Sequence, residues 1–199
     1  LSIGGTTIPI GSPEYVSQRH GEPFWSLTSE ADIATTVLRC PVTFPPEEVR
    51  GRMLSGMGVP DLRGSQGTFS YWTTEPGVRK NVQGGSIIGV QEQGGKISTV
   101  LSGPSVTQDG ERGELTVPFA ITINKERKLV ELHVQGETVT LRENEWSGWL
   151  PVSFRAGLFS KLAGICRFYL KSVEPHFALY GSPINFSPEN PPYPISFPK

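Results

Sequence analysis

Three arginines and one aspartate, all within a short stretch, are the residues of this chain best placed to do chemistry. Arg39 closes an apolar run, Arg52 follows Gly51, and Asp61 and Arg63 flank Leu62 in a turn-rich phrase. Guanidinium forks recognise phosphate or carboxylate through paired hydrogen bonds. Loops beyond the carboxyl end of a sheet strand are where α/β proteins hold ligands. Arg39, Arg52, Arg63 and Asp61 are therefore the candidate ligand-facing residues. The competing reading is a structural network in which the same arginines pair with Glu47, Glu48 and Asp61.

Other reactive types lack the spacing that chemistry needs. His20, His133 and His176 have no ligand partner two to four residues away, and no HxH, HExxH or CxxC occurs. His133 lies between Leu132 and Val134 and reads as a solvent-facing strand residue. Asp32, Asp61 and Asp109 are too scattered to build a two-metal cluster locally. Ser55 precedes Gly56 without a GxSxG elbow, and no P-loop ending follows, so tight-turn chemistry is the reading there. Cys40 and Cys166 both sit in apolar runs and read as buried thiols. No catalytic residue, metal ligand or bound cofactor is assigned within the chain. Trp146 and Trp149 are either core residues or the contact surface of a binding module for glycan, lipid or protein.

The elements that must carry these residues form two regions. Residues Pro23 to Ala31 place apolar groups near helical spacing, Ile33 to Leu38 reads as a strand buried on both faces, and Pro46-Glu47-Glu48 reads as the start of a short helix. From about Gly67 onward, about eight short strands follow at sandwich or barrel spacing. Ile87 to Gln91 and Ile97 to Leu101 flank Gly94-Gly95, a hairpin signal. Asp109-Gly110 and Gly136-Glu137 mark further turns. The expected fold is α+β, mostly β. Residues 1–74 form a small α/β segment, 75–181 an antiparallel β-sandwich or barrel-like insertion, and 182–199 a Pro-rich extended tail that serves as a linker or crossing strap.

The chain has 199 residues with 23 Gly and 18 Pro, so turns are frequent, and the formal charge is -1. Charges of both signs are interspersed, which argues against nucleic acid as a partner. No apolar run approaches the roughly 18–20 residues of a membrane-spanning helix. A start at Leu1 and an end within a Pro-rich run read as cut ends of a longer polypeptide.

Pro23-Phe24-Trp25, Val37 through Pro46, and Gly51-Arg52-Met53-Leu54-Ser55-Gly56-Met57-Gly58-Val59-Pro60-Asp61 resemble an internal segment of the alkaline phosphatase superfamily. The nearest branch is the bacterial type I phosphodiesterase/nucleotide pyrophosphatase-like proteins. Gly181 through Phe186 is similar to a phrase that follows the β region in that branch. Cys40 departs from the aliphatic residue expected at its position. The resemblance implies a hydrolase of phosphate esters whose two divalent metals, zinc for preference, and whose nucleophile lie in the remainder of the parent polypeptide. The β region would then cap or shape the substrate entrance without being catalytic alone. An assembly domain pairing through an exposed sheet edge is a further alternative.

Overall fold

The computed structural model describes residues 2–3, 6–7, 16–17, 19–78, 81–108, 111–156 and 161–198. The expected turn at Asp109-Gly110 lies outside them. In chain order the first elements are β1 (Ser2–Ile3), β2 (Thr6–Thr7), α1 (Phe24–Glu30), β3 (Thr35–Cys40), β4 (Gly51–Ser55), β5 (Phe69–Thr73), β6 (Asn81–Val82) and β7 (Gly85–Gly89). Then come β8 (Lys96–Gln108), β9 (Glu111–Asn124), β10 (Leu129–Val134), β11 (Glu137–Arg142), β12 (Glu145–Trp146) and β13 (Leu150–Arg155). β14 (Lys161–Cys166), β15 (Phe168–Ser172), β16 (Ala178–Gly181), β17 (Asn185–Phe186) and β18 (Ser196–Phe197) complete the chain. The fold is mostly β, as expected. Its compact units are Leu1–Pro60 with Pro191–Lys199, and Asp61–Asn190; the sequence reading had drawn its boundaries at 74 and 181.

In the first unit α1 starts after Pro23 and buries Trp25, whose indole Nε1 donates to Glu47 Oε2 at 2.7 Å. The core is Trp25, Val37, Val49 and Met53, with Cys40 and Phe197 packed against it. Strands β3 and β4 run parallel. They touch so closely that a side chain on Gly51 would meet the Thr35 carbonyl at 2.1 Å, which is why a glycine opens β4. β3 is not buried on both faces: Val37 is in the core, whereas Leu38 is 69% exposed. Thr36 and Leu38, on the face opposite Val37, are both exposed, so the strand has a single core face. Residues 46–48 form no helix; the Glu47 side chain holds Arg19 and Trp25, and its backbone N–H donates to Met53 Sδ. The Pro-rich tail does more than link: β18 adds antiparallel to β4, and Ser55 N–H donates to Ile195 O at 2.8 Å.

Among the described residues the second unit holds three sheets. One is antiparallel with order β11-β10-β9-β8, one has order β12-β15-β16-β5-β7-β6, and a third has order β13-β14-β17. β9 alternates Val117, Phe119, Ile121 and Ile123 inward against exposed Thr116, Pro118 and Ala120, the period-two pattern of a half-buried strand. β10 and β11 join through a two-residue turn, Gln135-Gly136, with both residues at positive φ, the hairpin type whose twist matches its strands. The turn expected at Gly94-Gly95 forms, closed by an antiparallel bridge between Gln93 and Lys96, but the pairing goes no further along the two strands. β7 pairs in parallel with β5 while β8 pairs with β9, so the two strands enter different sheets. Trp72 ties those sheets together: fully buried, it donates from Nε1 to Val100 O at 3.2 Å and meets Phe119 edge-on at 5.1 Å.

Candidate functional site

The four residues singled out from the sequence fall in two places. Arg39 and Arg52 belong to the first unit, exposed on neighbouring strands. Arg39 sits at a register irregularity between Leu38 and Cys40 with φ 51. Its carbonyl would lie 2.2 Å from any side chain placed on Gly56. Asp61 and Arg63 belong to the second unit. Arg63 pairs with Glu114 at 2.6 Å rather than with Asp61. Glu47 pairs with Arg19, and neither Arg39 nor Arg52 has an ion pair among the described residues. The expected network of these arginines with Glu47, Glu48 and Asp61 is therefore not the one formed.

Asp61 is buried, and its carboxylate is fully occupied. Oδ1 accepts from Ser65 N–H at 2.9 Å, and Oδ2 accepts from Ser65 Oγ at 2.6 Å and Thr68 N–H at 2.8 Å. This is the side-chain-to-backbone pattern that fixes a loop. It does not fit a metal ligand, whose oxygens must be free to coordinate. Among the described residues no group of three or more His, Cys, Asp or Glu is arranged to hold a metal ion. Ser55 is likewise structural: its hydroxyl is buried and donates to Thr43 O at 2.6 Å. The His133 ring is half-exposed, with Nδ1 3.1 Å from Thr138 Oγ1.

A more distinctive arrangement lies on the six-stranded sheet. Successive residues in a strand point to opposite faces, and one face buries Trp72, Phe168, Leu170 and Leu179. On the other face Trp146 stands opposite Tyr169, Tyr169 opposite Tyr180, and Tyr180 opposite Tyr71. The four aromatics thus form one row across β12, β15, β16 and β5, about 14 Å long at three strand spacings. Their rings touch: Trp146 lies 5.2 Å from Tyr169 and 5.7 Å from Tyr180, and Phe69 stacks on Tyr180 at 5.5 Å. Phe69 in turn lies over Gly85, where a Cβ would come within 2.5 Å of its ring.

The row stays open. Trp146 is 42% exposed and the nearby Trp149 50%, while Tyr71, Tyr169 and Tyr180 are half-buried. Core packing therefore does not account for the two tryptophans. Partial burial raises the Tyr180 hydroxyl above its ordinary pKa. The Tyr169 hydroxyl donates to Asn144 Oδ1 at 3.1 Å. Two cations flank the row: Arg167 over Trp146 at 4.3 Å and Lys171 near Tyr71 at 6.0 Å. Such a surface offers ring faces, hydroxyls and positive charge together, groups that can bind a polar ring.

Sequence reasoning had reached only Trp146 and Trp149 of this surface. The signal for the rest was alternation: Arg167, Tyr169 and Lys171 interleave with Phe168 and Leu170, and Phe69 and Tyr71 flank Ser70. That pattern marks an outward aromatic face on each strand, but which strands lie side by side is a long-range fact. No family model, curated protein or solved structure matches this chain.

Proposed function

We propose that this chain is the substrate-receiving part of a metal-dependent phosphoesterase, with the open aromatic face of the second unit as the surface that meets ligand. The two halves of the reading have separate supports. The phosphoesterase half rests on the phrases around Pro23 to Trp25 and Gly51 to Asp61. The first opens α1 and the second supplies β4, which pairs in parallel with β3, and parallel pairing is the habit of α/β layers rather than of hairpins. The contact-surface half rests on one observation, the in-register row of Trp146, Tyr169, Tyr180 and Tyr71 on an open sheet face.

In this reading the chain's own residues bind and orient, and the bond-breaking groups belong to the rest of the polypeptide. Ligand rings lie against the tyrosines and the hydroxyls fix their rotation. The double variant Tyr169→Ala/Tyr180→Ala, made in the full-length gene product, is the test. Loss of a purely binding surface raises KM for a phosphodiester about tenfold and leaves kcat within about twofold. A fall in kcat at unchanged KM would contradict the reading. The same row also favours a second reading, a glycan-binding module with no part in hydrolysis. In that case the isolated chain binds oligosaccharide, and the double variant changes no hydrolytic rate in the full-length product.

A further inference from the structure

Arg167 is the least explained charge in the second unit. Its guanidinium lies 4.3 Å over the Trp146 ring and 5.6 Å from that of Trp149. The side chain is half-buried, and Nε is buried with no hydrogen-bond partner. Among the described residues no carboxylate forms an ion pair with it: the recorded pairs engage Arg19, Arg50, Arg63, Lys125, Lys128 and His133. A partly desolvated cation without a counter-charge is costly unless something pairs with it. The two indoles offset part of that cost and also fix the plane of the fork. The residue is only half-buried, so part of the side chain stays open to a ligand.

The surroundings narrow what that ligand is. Arg167 precedes Tyr169 by two residues on β15's approach, and so shares the face of the aromatic row. Lys171 adds a second positive charge on that face, near Tyr71. Between them lie three tyrosines and Phe69; Phe69 stacks on Tyr180, but Trp146 is tilted by 45° to Tyr169 and stands at 84° to Tyr180. A corrugated deck of hydroxyl-bearing rings suits puckered, hydroxylated rings better than an acyl chain or a flat base stack. We infer that Arg167, held between Trp146 and Trp149, anchors the anionic group of an acidic saccharide whose sugar rings lie along Tyr169, Tyr180 and Tyr71. The shared chemistry is a sugar ring bearing a carboxylate, sulfate or phosphate. This inference rests on the contact-surface half of the proposed function.

Calorimetric titration of the chain at low ionic strength tests it with five probes: a neutral β-glucan tetrasaccharide, a galacturonate tetrasaccharide, a sulfated disaccharide, glucose 1-phosphate and inorganic sulfate. At least one acidic saccharide should bind about tenfold or more tighter than the neutral one, and which one does identifies the anion. Arg167→Gln should remove that advantage, and Arg167→Lys should restore only part of it because the paired-donor geometry is lost. Near-ultraviolet circular dichroism checks that both variants keep the fold. Equal binding of neutral and acidic saccharides, unchanged by Arg167→Gln, would overturn the anchor and leave the contact surface standing. Sulfate binding as tightly as any acidic saccharide would overturn the sugar assignment. Failure of every saccharide to bind would overturn the anchor and the glycan reading, whereas the phosphodiester reading of the face stands or falls on the KM of Tyr169→Ala/Tyr180→Ala.

Discussion

Tyr169 on β15 stands directly opposite Tyr180 on β16, and both present their rings to the open face of the six-stranded sheet. Their immediate neighbours in sequence, Phe168 and Leu179, are fully buried on the other face. The same two strands therefore serve two purposes through the pleat alone. Inward residues hold the sheets together, and outward residues are free to be chosen for contact. That separation makes the face testable, because outward rings can be removed with limited damage to the core.

Tyr180→Ala should cost little stability for the size of ring removed. The ring loses its contacts with Phe69 and Trp146, each about 0.5–1.5 kcal/mol, and no core residue loses support. Urea unfolding should show a loss of about 1–3 kcal/mol on that basis. A protein that fails to fold would mean the ring belongs to the core.

Asp61→Asn should destabilise the second unit more than a surface change does. The carboxylate accepts three hydrogen bonds from Ser65 and Thr68. An amide keeps one acceptor oxygen and turns a donor toward another donor, at a cost of about 1–3 kcal/mol. The expected sign is a lower urea midpoint with unchanged slope, and an unaltered midpoint would show that the loop does not depend on this residue.

Gly103→Ala and Gly113→Ala form a matched pair in the long strands β8 and β9. A Cβ on Gly103 would come within 2.3 Å of the buried Phe154 ring, whereas one on Gly113 meets nothing within 4 Å. Overpacking at the first site should cost about 1–3 kcal/mol, and the second should be neutral or slightly stabilising. Equal effects would contradict the packing described between β8 and β13.

Cys166 should make stability fall in alkali. Burial pushes its thiol from an ordinary 9.0 up to about 12. The native state then keeps a proton that the unfolded chain loses, so the contribution is whole below pH 9 and disappears as pH rises through about 12. The Tyr180 hydroxyl, also raised by burial, acts in the same direction. Chemical denaturation of Cys166→Ala across that range should give a shallower decline than the parent chain, and parallel curves would rule this source out.

How much of this was legible in the sequence follows from the range of the interactions involved. Alternation in β9 and the apolar faces of β10 needed only neighbours two residues apart, and those strands lie where the pattern put them. The helix Phe24–Glu30 was likewise local. The parallel β5–β7 pair, the return of Phe197 to Met53, and the separation of β7 from β8 depend on distant partners, so the turn at Gly94-Gly95 was legible while the partners of the strands beside it were not. The site shows the same division. Glycines and arginines near Asp61 drew attention because their types are conspicuous, yet Asp61 organises a loop. Tyr71, Tyr169 and Tyr180 are unremarkable singly and become a surface only when three strand pairings align them.

The central claim is that ligand meets the open aromatic face, and the chain's four tryptophans provide the direct measurement. Trp146 and Trp149 lie at that face, whereas Trp72 and Trp25 are buried in the cores of the second and first units respectively. In a nitrogen–proton correlation spectrum each indole N–H gives its own signal. Titration with the acidic saccharide should move the Trp146 and Trp149 signals in a saturable way and leave those of Trp25 and Trp72 in place. Shifts confined to Trp25 or Trp72, or no shift of Trp146 at saturating saccharide, would contradict the account.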